Sequence, residues 1–468
     1  MVLTLIKTMS FLTEYKINTL PIINPFHWGF NGTVEHHTSN SGTVKIKPRD
    51  DPENPIPFED FVSRYIPSLA EGAKFRLNPL LFTGLLQTLY LSAGDFSKKF
   101  CVFYGREIVH FSDGGICTAD WVKNSWKDKY RFNEKTKKFD YDVFRSDEAK
   151  THPENWPRLH PRTRFLNEEE LGEVHNDTRP LVVVIHGLAG GSHEPIIKSL
   201  TSQLSKIGED RFQVVVLNSR GCARSKVTNR QLVTAFFTAD IEEFLLREKA
   251  RHPNRPIYGV GFSFGSTLLV NYLGRVGDKT PLSAAVVVCN PWDMVLSSEK
   301  MEKDYWSRTF FSKAITQFLT RMVKVNMAEL ETPEGTKPDR KPTVDNPNYF
   351  AFTRSNLEKA KKFTRVVEFD DMYTGPCLGF ASGLDYYRAA SSLNRLPKVT
   401  IPLLSINSKD DPVVGAESIP RSYLDENPNV LSIETDLGGH LAYLESSGDS
   451  WVTAAVAEFV YQFDKEVL

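Results

Sequence analysis

Gly261-Phe262-Ser263-Phe264-Gly265 has the form G-x-S-x-G, placed directly after an apolar run and before a helical one. A serine on a sharp strand-to-helix turn can act as a nucleophile, because the turn exposes its hydroxyl. Small residues two positions either side let strand and helix approach closely. Free N–H groups at the helix start face the negative charge that develops on a tetrahedral oxygen. Such a serine needs a general base, and the base needs an orienting acid, in the chain order Ser, acid, His. Of the eleven histidines only His440 follows Ser263, in the turn Asp436-Leu437-Gly438-Gly439-His440. The acid belongs on the loop after the preceding strand-like run, where Asp410-Asp411-Pro412-Val413-Val414 offers two carboxylates. Either can hold an imidazole. The form D-x-x-V on that loop favours Asp411 and leaves Asp410 as a turn cap.

The oxyanion of an acyl-transfer intermediate needs two backbone N–H donors, each worth roughly 3–4 kcal/mol. Phe264, next to the nucleophile, supplies one. The glycine-rich segment His186-Gly187-Leu188-Ala189-Gly190-Gly191 offers the other, with Leu188 the candidate because its N–H follows the H-G turn. No G-K-[ST] follows those glycines, so they are not a phosphate loop. Gly259-x-Gly261-x-x-x-Gly265 is one residue too long for a dinucleotide fingerprint. His193-Glu194 begins like a zinc-binding H-E-x-x-H but has Ile197 in the last position, so no metal and no cofactor are expected. Gly375-Pro376-Cys377-Leu378-Gly379 imitates an elbow, yet follows no apolar strand, and Cys377 reads as structural.

Residues so far apart need a sheet to bring them together. Six β-branched runs read as buried parallel strands: Leu181–His186, Phe212–Asn218, Pro256–Val260, Ala284–Asn290, Ile401–Asn407 and Val430–Asp436. Helical patterns between them, such as Leu232–Glu248 and Thr267–Leu273, give the alternation of a doubly wound α/β sheet. The starts at Ala284 and Ile401 are 117 residues apart, against 28 to 44 for the other intervals. An insertion therefore separates them. Its aromatic-rich stretch from Tyr305 to Met322 reads equally as a lid over an apolar site and as extra core. Ile108–His110 and Cys117–Trp121 flank Ser112-Asp113-Gly114-Gly115 as an antiparallel hairpin. The organisation expected is an N-terminal extension over 1–100, irregular and Pro-rich, a core over 101–292 and 389–468, and an inserted cap over 293–388.

Composition excludes other classes. In 468 residues, 41% apolar content places the chain among folded globular proteins, not disordered ones. With 57 Lys and Arg against 58 Asp and Glu, it carries no net basic footprint for nucleic acid. Five scattered cysteines without a C-x-x-C pair suit a reducing compartment. Lys7 and Glu14 interrupt the N-terminal apolar stretch, and the first arginine is Arg49, so neither a secretory signal nor a matrix presequence is expected. The uncharged run Leu77–Gly94 contains Asn78, Pro79, Thr83, Gln87 and Thr88, which favours a buried helix over a membrane span and keeps a surface-docking helix open.

The elbow, His186–Pro195, Asn218–Ser225 and Asp436–His440 together resemble the YheT-like branch of the α/β-hydrolases. Asn24–Gly29, Phe103–Glu107, Cys289–Asp293 and Gly438–Tyr443 are similar to the yeast medium-chain fatty acid ethyl ester synthase/esterases, from about Ile22 to the C-terminus. The first 21 residues, Phe262 and Ser266 depart from that group. Phe262 is expected to alter the pocket's shape. The resemblance implies an α/β-hydrolase fold and the triad Ser263, Asp411 and His440. It implies transfer of a medium-chain acyl group from acyl-CoA, a substrate here, to ethanol, with ester hydrolysis in reverse. It also implies an intracellular protein on the cytosolic face of a lipid droplet, endoplasmic reticulum or mitochondrial outer membrane, held peripherally. The competing readings are a plain carboxylesterase or monoacylglycerol lipase, and a non-catalytic lipid-binding protein.

Overall fold

The computed structural model describes residues 28–467. The first 21 residues and the Asn24–His27 part of the first matching segment lie outside them. Among the described residues thirteen strands follow in chain order: β1 Asn31–His37, β2 Lys45–Ile46, β3 Ile56–Pro57, β4 Lys74–Arg76, β5 Tyr104–His110, β6 Ile116–Val122, β7 Thr163–Phe165, β8 Leu181–Ile185, β9 Gln213–Asn218, β10 Ile257–Phe262, β11 Ala284–Val288, β12 Leu403–Ser408 and β13 Val430–Thr435. Eleven form one sheet in the order β4-β1-β13-β12-β11-β10-β8-β9-β6-β5-β7.

The six parallel strands read from the sequence are its centre, β13-β12-β11-β10-β8-β9. They are buried on both faces, which is why Leu181–Ile185 and Ala284–Val288 are continuous apolar runs. Packing splits across the sheet. One core joins Val182, Val184, Val260 and Phe262 to the C-terminal helix Trp451–Glu466. The other joins Val183, Ile185 and Val287 to the helix Phe264–Val276. The hairpin β5–β6 is present and longer than expected, with Val109 opposite Cys117.

Two expectations are corrected. Residues 1–100 are not irregular throughout: β1 pairs antiparallel with β13, and β4 with β1, extending the sheet past its parallel part. These strands are short and polar on one side, so they show little periodicity. The helix expected over Leu232–Glu248 starts only at Ala239, with Asp240 and Glu242 in its first turn, where carboxylates complement the helix dipole. Residues 232–238 run instead as a loop beside the site.

Between β11 and β12 the chain forms helices Met294–Lys303, Lys313–Val325, Arg354–Ala360 and Gly383–Ala390, with π-helical turns at Ser307–Ser312 and Asp370–Thr374. The run Leu77–Gly94 becomes a 3-10 turn, Pro79–Leu81, and the helix Gly84–Ala93, capped by the Thr83 side chain on the Leu86 N–H. No helix among the described residues is long and apolar enough to cross a membrane.

Candidate active site

Ser263 ends the run of β10 with φ 51° and ψ −121°, a left-handed conformation that costs a non-glycine residue about 1–3 kcal/mol. Its neighbours show why only glycine fits two positions away. A Cβ at Gly261 would lie 2.8 Å from the Gly265 carbonyl oxygen, and one at Gly265 would lie 2.4 Å from the Ile185 carbonyl oxygen. Ser266 ties the turn to the sheet, donating from Oγ to the Gly261 carbonyl at 2.7 Å and accepting from the Val288 N–H at 3.2 Å. Phe262 points into the core and does not line the cavity at Ser263, so it does not shape the pocket as expected.

The Ser263 hydroxyl donates to His440 Nε2 at 2.9 Å, and His440 Nδ1–H donates to Asp411 Oδ2 at 2.8 Å. Asp411 is buried, and its other oxygen accepts the Val413 and Val414 N–H groups at 2.7 and 2.9 Å. One oxygen is thus anchored by backbone while the second holds the imidazole in the tautomer that leaves Nε2 free to accept a proton. Asp410 points elsewhere. It accepts the Gly439 N–H at 2.8 Å and the Ser408 hydroxyl, and so ties the loop that carries His440. Burial pushes the Asp410 carboxyl up to about 7, which keeps it largely protonated below neutral pH.

Leu188 and Phe264 both line the cavity at Ser263, and among the described residues neither N–H has an acceptor. His186 orients the first of them. Burial lowers its pKa to about 4, so the ring is neutral: Nδ1–H donates to the Gly187 carbonyl at 2.7 Å and Nε2 accepts from the Ser219 N–H at 3.0 Å. The Gly190 N–H also meets the Gly187 carbonyl, at 3.1 Å. Holding that carbonyl fixes the peptide plane and turns the Leu188 N–H the opposite way.

Three contributors are not evident from sequence. Thr88 Oγ1 accepts the His440 N–H at 2.8 Å while donating to the Gly84 carbonyl at 2.7 Å. Gln87 Oε1 accepts the Leu444 N–H at 2.8 Å. The extension's helix therefore holds the histidine loop, and only its interruption of an apolar run by Gln87 and Thr88 hinted at this. Cys289 is the third: its sulfur accepts the Leu441 N–H at 3.3 Å and sits within 4.8 Å of the Asp411 and His440 ligand atoms. Burial and the Asp411 charge hold its thiol well above the usual range, which suits a neutral S–H rather than a metal-binding thiolate.

The cavity at Ser263 holds about 130 Å³ and is mainly apolar. The loop 232–238 and the insertion wall it, the latter through Ile315, Leu319, Met322, Phe352 and Tyr373. Phe310 and Phe318 of the same aromatic stretch are exposed, while Ile315, Leu319 and Met322 line the cavity. Cys377 is buried in the cavity wall.

Residues 180–447 match the family model for the alpha/beta hydrolase fold. Medium-chain fatty acid ethyl ester synthase/esterase 2 of Saccharomyces cerevisiae is 58% identical over 453 residues, covering 97% of this chain and 100% of that protein. Monoacylglycerol lipase of the same yeast is 30% identical, covering 93% of this chain and 92% of that protein. With an elbow serine, an ordered Ser–His–Asp line and a parallel sheet beneath them, the chain belongs to the α/β-hydrolase family, in the group of the medium-chain fatty acid ethyl ester synthase/esterases.

Proposed function

We propose that the protein is a serine-dependent acyltransferase that moves a medium-chain acyl group from acyl-CoA to ethanol, and an esterase that hydrolyses such esters with water through the same acyl-serine. The observation that carries this reading is the hydrogen-bonded line Ser263–His440–Asp411 opening on an apolar cavity walled by the insertion. The name of the 58% identical relative supports ethyl ester synthesis as the direction.

In the first half, His440 takes the Ser263 proton as Oγ attacks the thioester carbonyl, and the Leu188 and Phe264 N–H groups stabilise the oxyanion. The C–S bond breaks and the coenzyme A thiol leaves with the proton that His440 returns. In the second half His440 deprotonates ethanol, whose oxygen attacks the acyl-serine and releases the ethyl ester. Water in place of ethanol gives the free acid. These steps need no cofactor, so acyl-CoA enters as substrate. The insertion sets the ratio of the two products by how far it excludes water. Peripheral contact with a lipid surface is proposed through Leu80 and Tyr90, 82% and 50% exposed on the segment that carries Thr88.

The test incubates wild type and Ser263→Ala with octanoyl-CoA, with and without ethanol, and quantifies ethyl octanoate and octanoate. Ethyl ester from wild type only supports the proposal. Octanoate without ester, again from wild type only, supports the second reading, a carboxylesterase or monoacylglycerol lipase, which the 30% identical relative favours by name. Absence of labelling by a fluorophosphonate probe would favour a non-catalytic lipid-binding protein.

A further inference from the structure

Beyond the wall formed by Leu188 and Met322, which both cavities share, lies a second and larger cavity of about 1080 Å³. Arg158, Arg224, Lys226 and Arg321 line it from three separate segments, and among the described residues none of the four has a carboxylate partner. Burial and the neighbouring charges of Arg158, Arg106 and Arg321 hold the Arg224 guanidinium below its ordinary range. His160 and His193 stack on the same wall with centroids 3.9 Å apart. Burial lowers them to about 3 and about 2, so both rings are neutral, and His193 Nδ1 is buried without a hydrogen-bond partner. Against these stand Glu329, and Glu194, whose carboxyl burial pushes up to about 7. Arg224 donates to the Arg158 and Leu159 carbonyls and Arg158 to the Tyr141 hydroxyl, so their hydrogen bonds go to neutral acceptors and their charge has no paired anion; a polyanion supplies one.

We propose that this basic cavity receives the phosphate-ester groups of the acyl donor's thiol carrier, an inference that rests on the acyl-CoA reading above. The acyl chain then occupies the apolar cavity at Ser263, the thioester lies over Leu188, and the carrier crosses to the cationic side. When Ser263 Oγ forms its bond to the acyl carbon and the C–S bond breaks, the thiol departs into the cavity that binds its phosphates. An uncharged ester makes no use of these cations.

The test compares octanoyl-CoA with octanoyl-N-acetylcysteamine, a thioester without phosphates, in wild type, Arg321→Glu and Arg158→Glu. The ratio of kcat/KM for the first substrate to that for the second is expected to fall roughly tenfold or more in each variant, the effect of losing a charge-assisted contact. An unchanged ratio overturns the proposal. Calorimetric binding of coenzyme A gives a readout independent of turnover. If wild type fails to turn over octanoyl-CoA, the acyltransferase reading falls. The cavity assignment then stands if coenzyme A binds wild type and not Arg321→Glu, and falls if it does not bind. A phospholipid headgroup is the other source of such phosphates. Loss of binding to phosphatidylcholine vesicles containing phosphatidic acid, with the substrate ratio unchanged, assigns the cavity to lipid and overturns the carrier.

Discussion

At the scale of single residues, two adjacent carboxylates divide one task. Asp411 holds the imidazole and Asp410 holds the loop beneath it. Asp411→Asn presents an amide where His440 needs an acceptor, and a loss of about 10^4-fold in kcat is expected from the wrong tautomer. Steady-state rates with Tm unchanged would check this. Asp410→Asn keeps an oxygen for the Gly439 N–H and is expected to retain most activity. Its signature lies in the pH dependence of stability. The Asp410 carboxyl has a pKa of about 7 when folded, raised from its ordinary value of 3.8. The folded chain thus holds a proton that the unfolded chain has released, so this stabilisation is full below the ordinary value. It is lost as pH rises toward 7. The Tm of Asp410→Asn relative to wild type should therefore climb across that interval; a flat difference would refute the assignment.

At the scale of elements, the helix Gly84–Ala93 shows how an apolar run of mixed polarity is used. Leu85 packs with Phe311 and Val413, Gln87 satisfies the Leu444 N–H, and Thr88 satisfies the His440 N–H. Gly439, at φ 64°, has the Gly84 carbonyl where a Cβ would sit, so helix and loop touch at backbone distance. Thr88→Val keeps the shape and leaves the His440 N–H unsatisfied, a loss of about 1–3 kcal/mol. The expected readout is a fall of about tenfold in kcat with little change in KM, reversed in Thr88→Ser. A purely structural role would lower Tm without this split.

At the scale of the whole molecule, a buried network ties the oxyanion side to the hairpin edge of the sheet. Arg106 on β5 pairs with Asp120 on β6 at 2.7 Å, and both side chains are fully buried. Asp120 also accepts from Ser192 and from Asn218 Nδ2, while Arg106 Nη1 donates to the Ala223 carbonyl. The loops after β8 and β9 are thereby held by one ion pair. Arg106→Ala leaves a buried carboxylate unpaired and is expected to destabilise the fold by about 3–5 kcal/mol, measured by urea titration. Activity should fall more than stability at low temperature, because the Leu188 loop loses its support.

The pairing of Ser263 with His440 and the parallel centre of the sheet were legible in the sequence. G-x-S-x-G constrains the backbone locally, one histidine follows it, and buried strands are continuous apolar runs. Tertiary structure decided the rest. The sequence favoured Asp411 over Asp410 as the acid, although D-x-x-V can also be read from Asp410 to Val413, and the path of the loop after β12 brings Asp411 to His440. Strand β1 and the role of Thr88 depend on partners hundreds of residues away, β4 depends on β1, and the role of His186 depends on one peptide plane, and such contacts leave no periodicity to read. The cations of the second cavity, which have no carboxylate partners among the described residues, come from three segments that carry ordinary surface arginines and lysine in sequence. Their meaning arises from being folded onto one wall, because charge interactions depend on distance in space and not on separation along the chain.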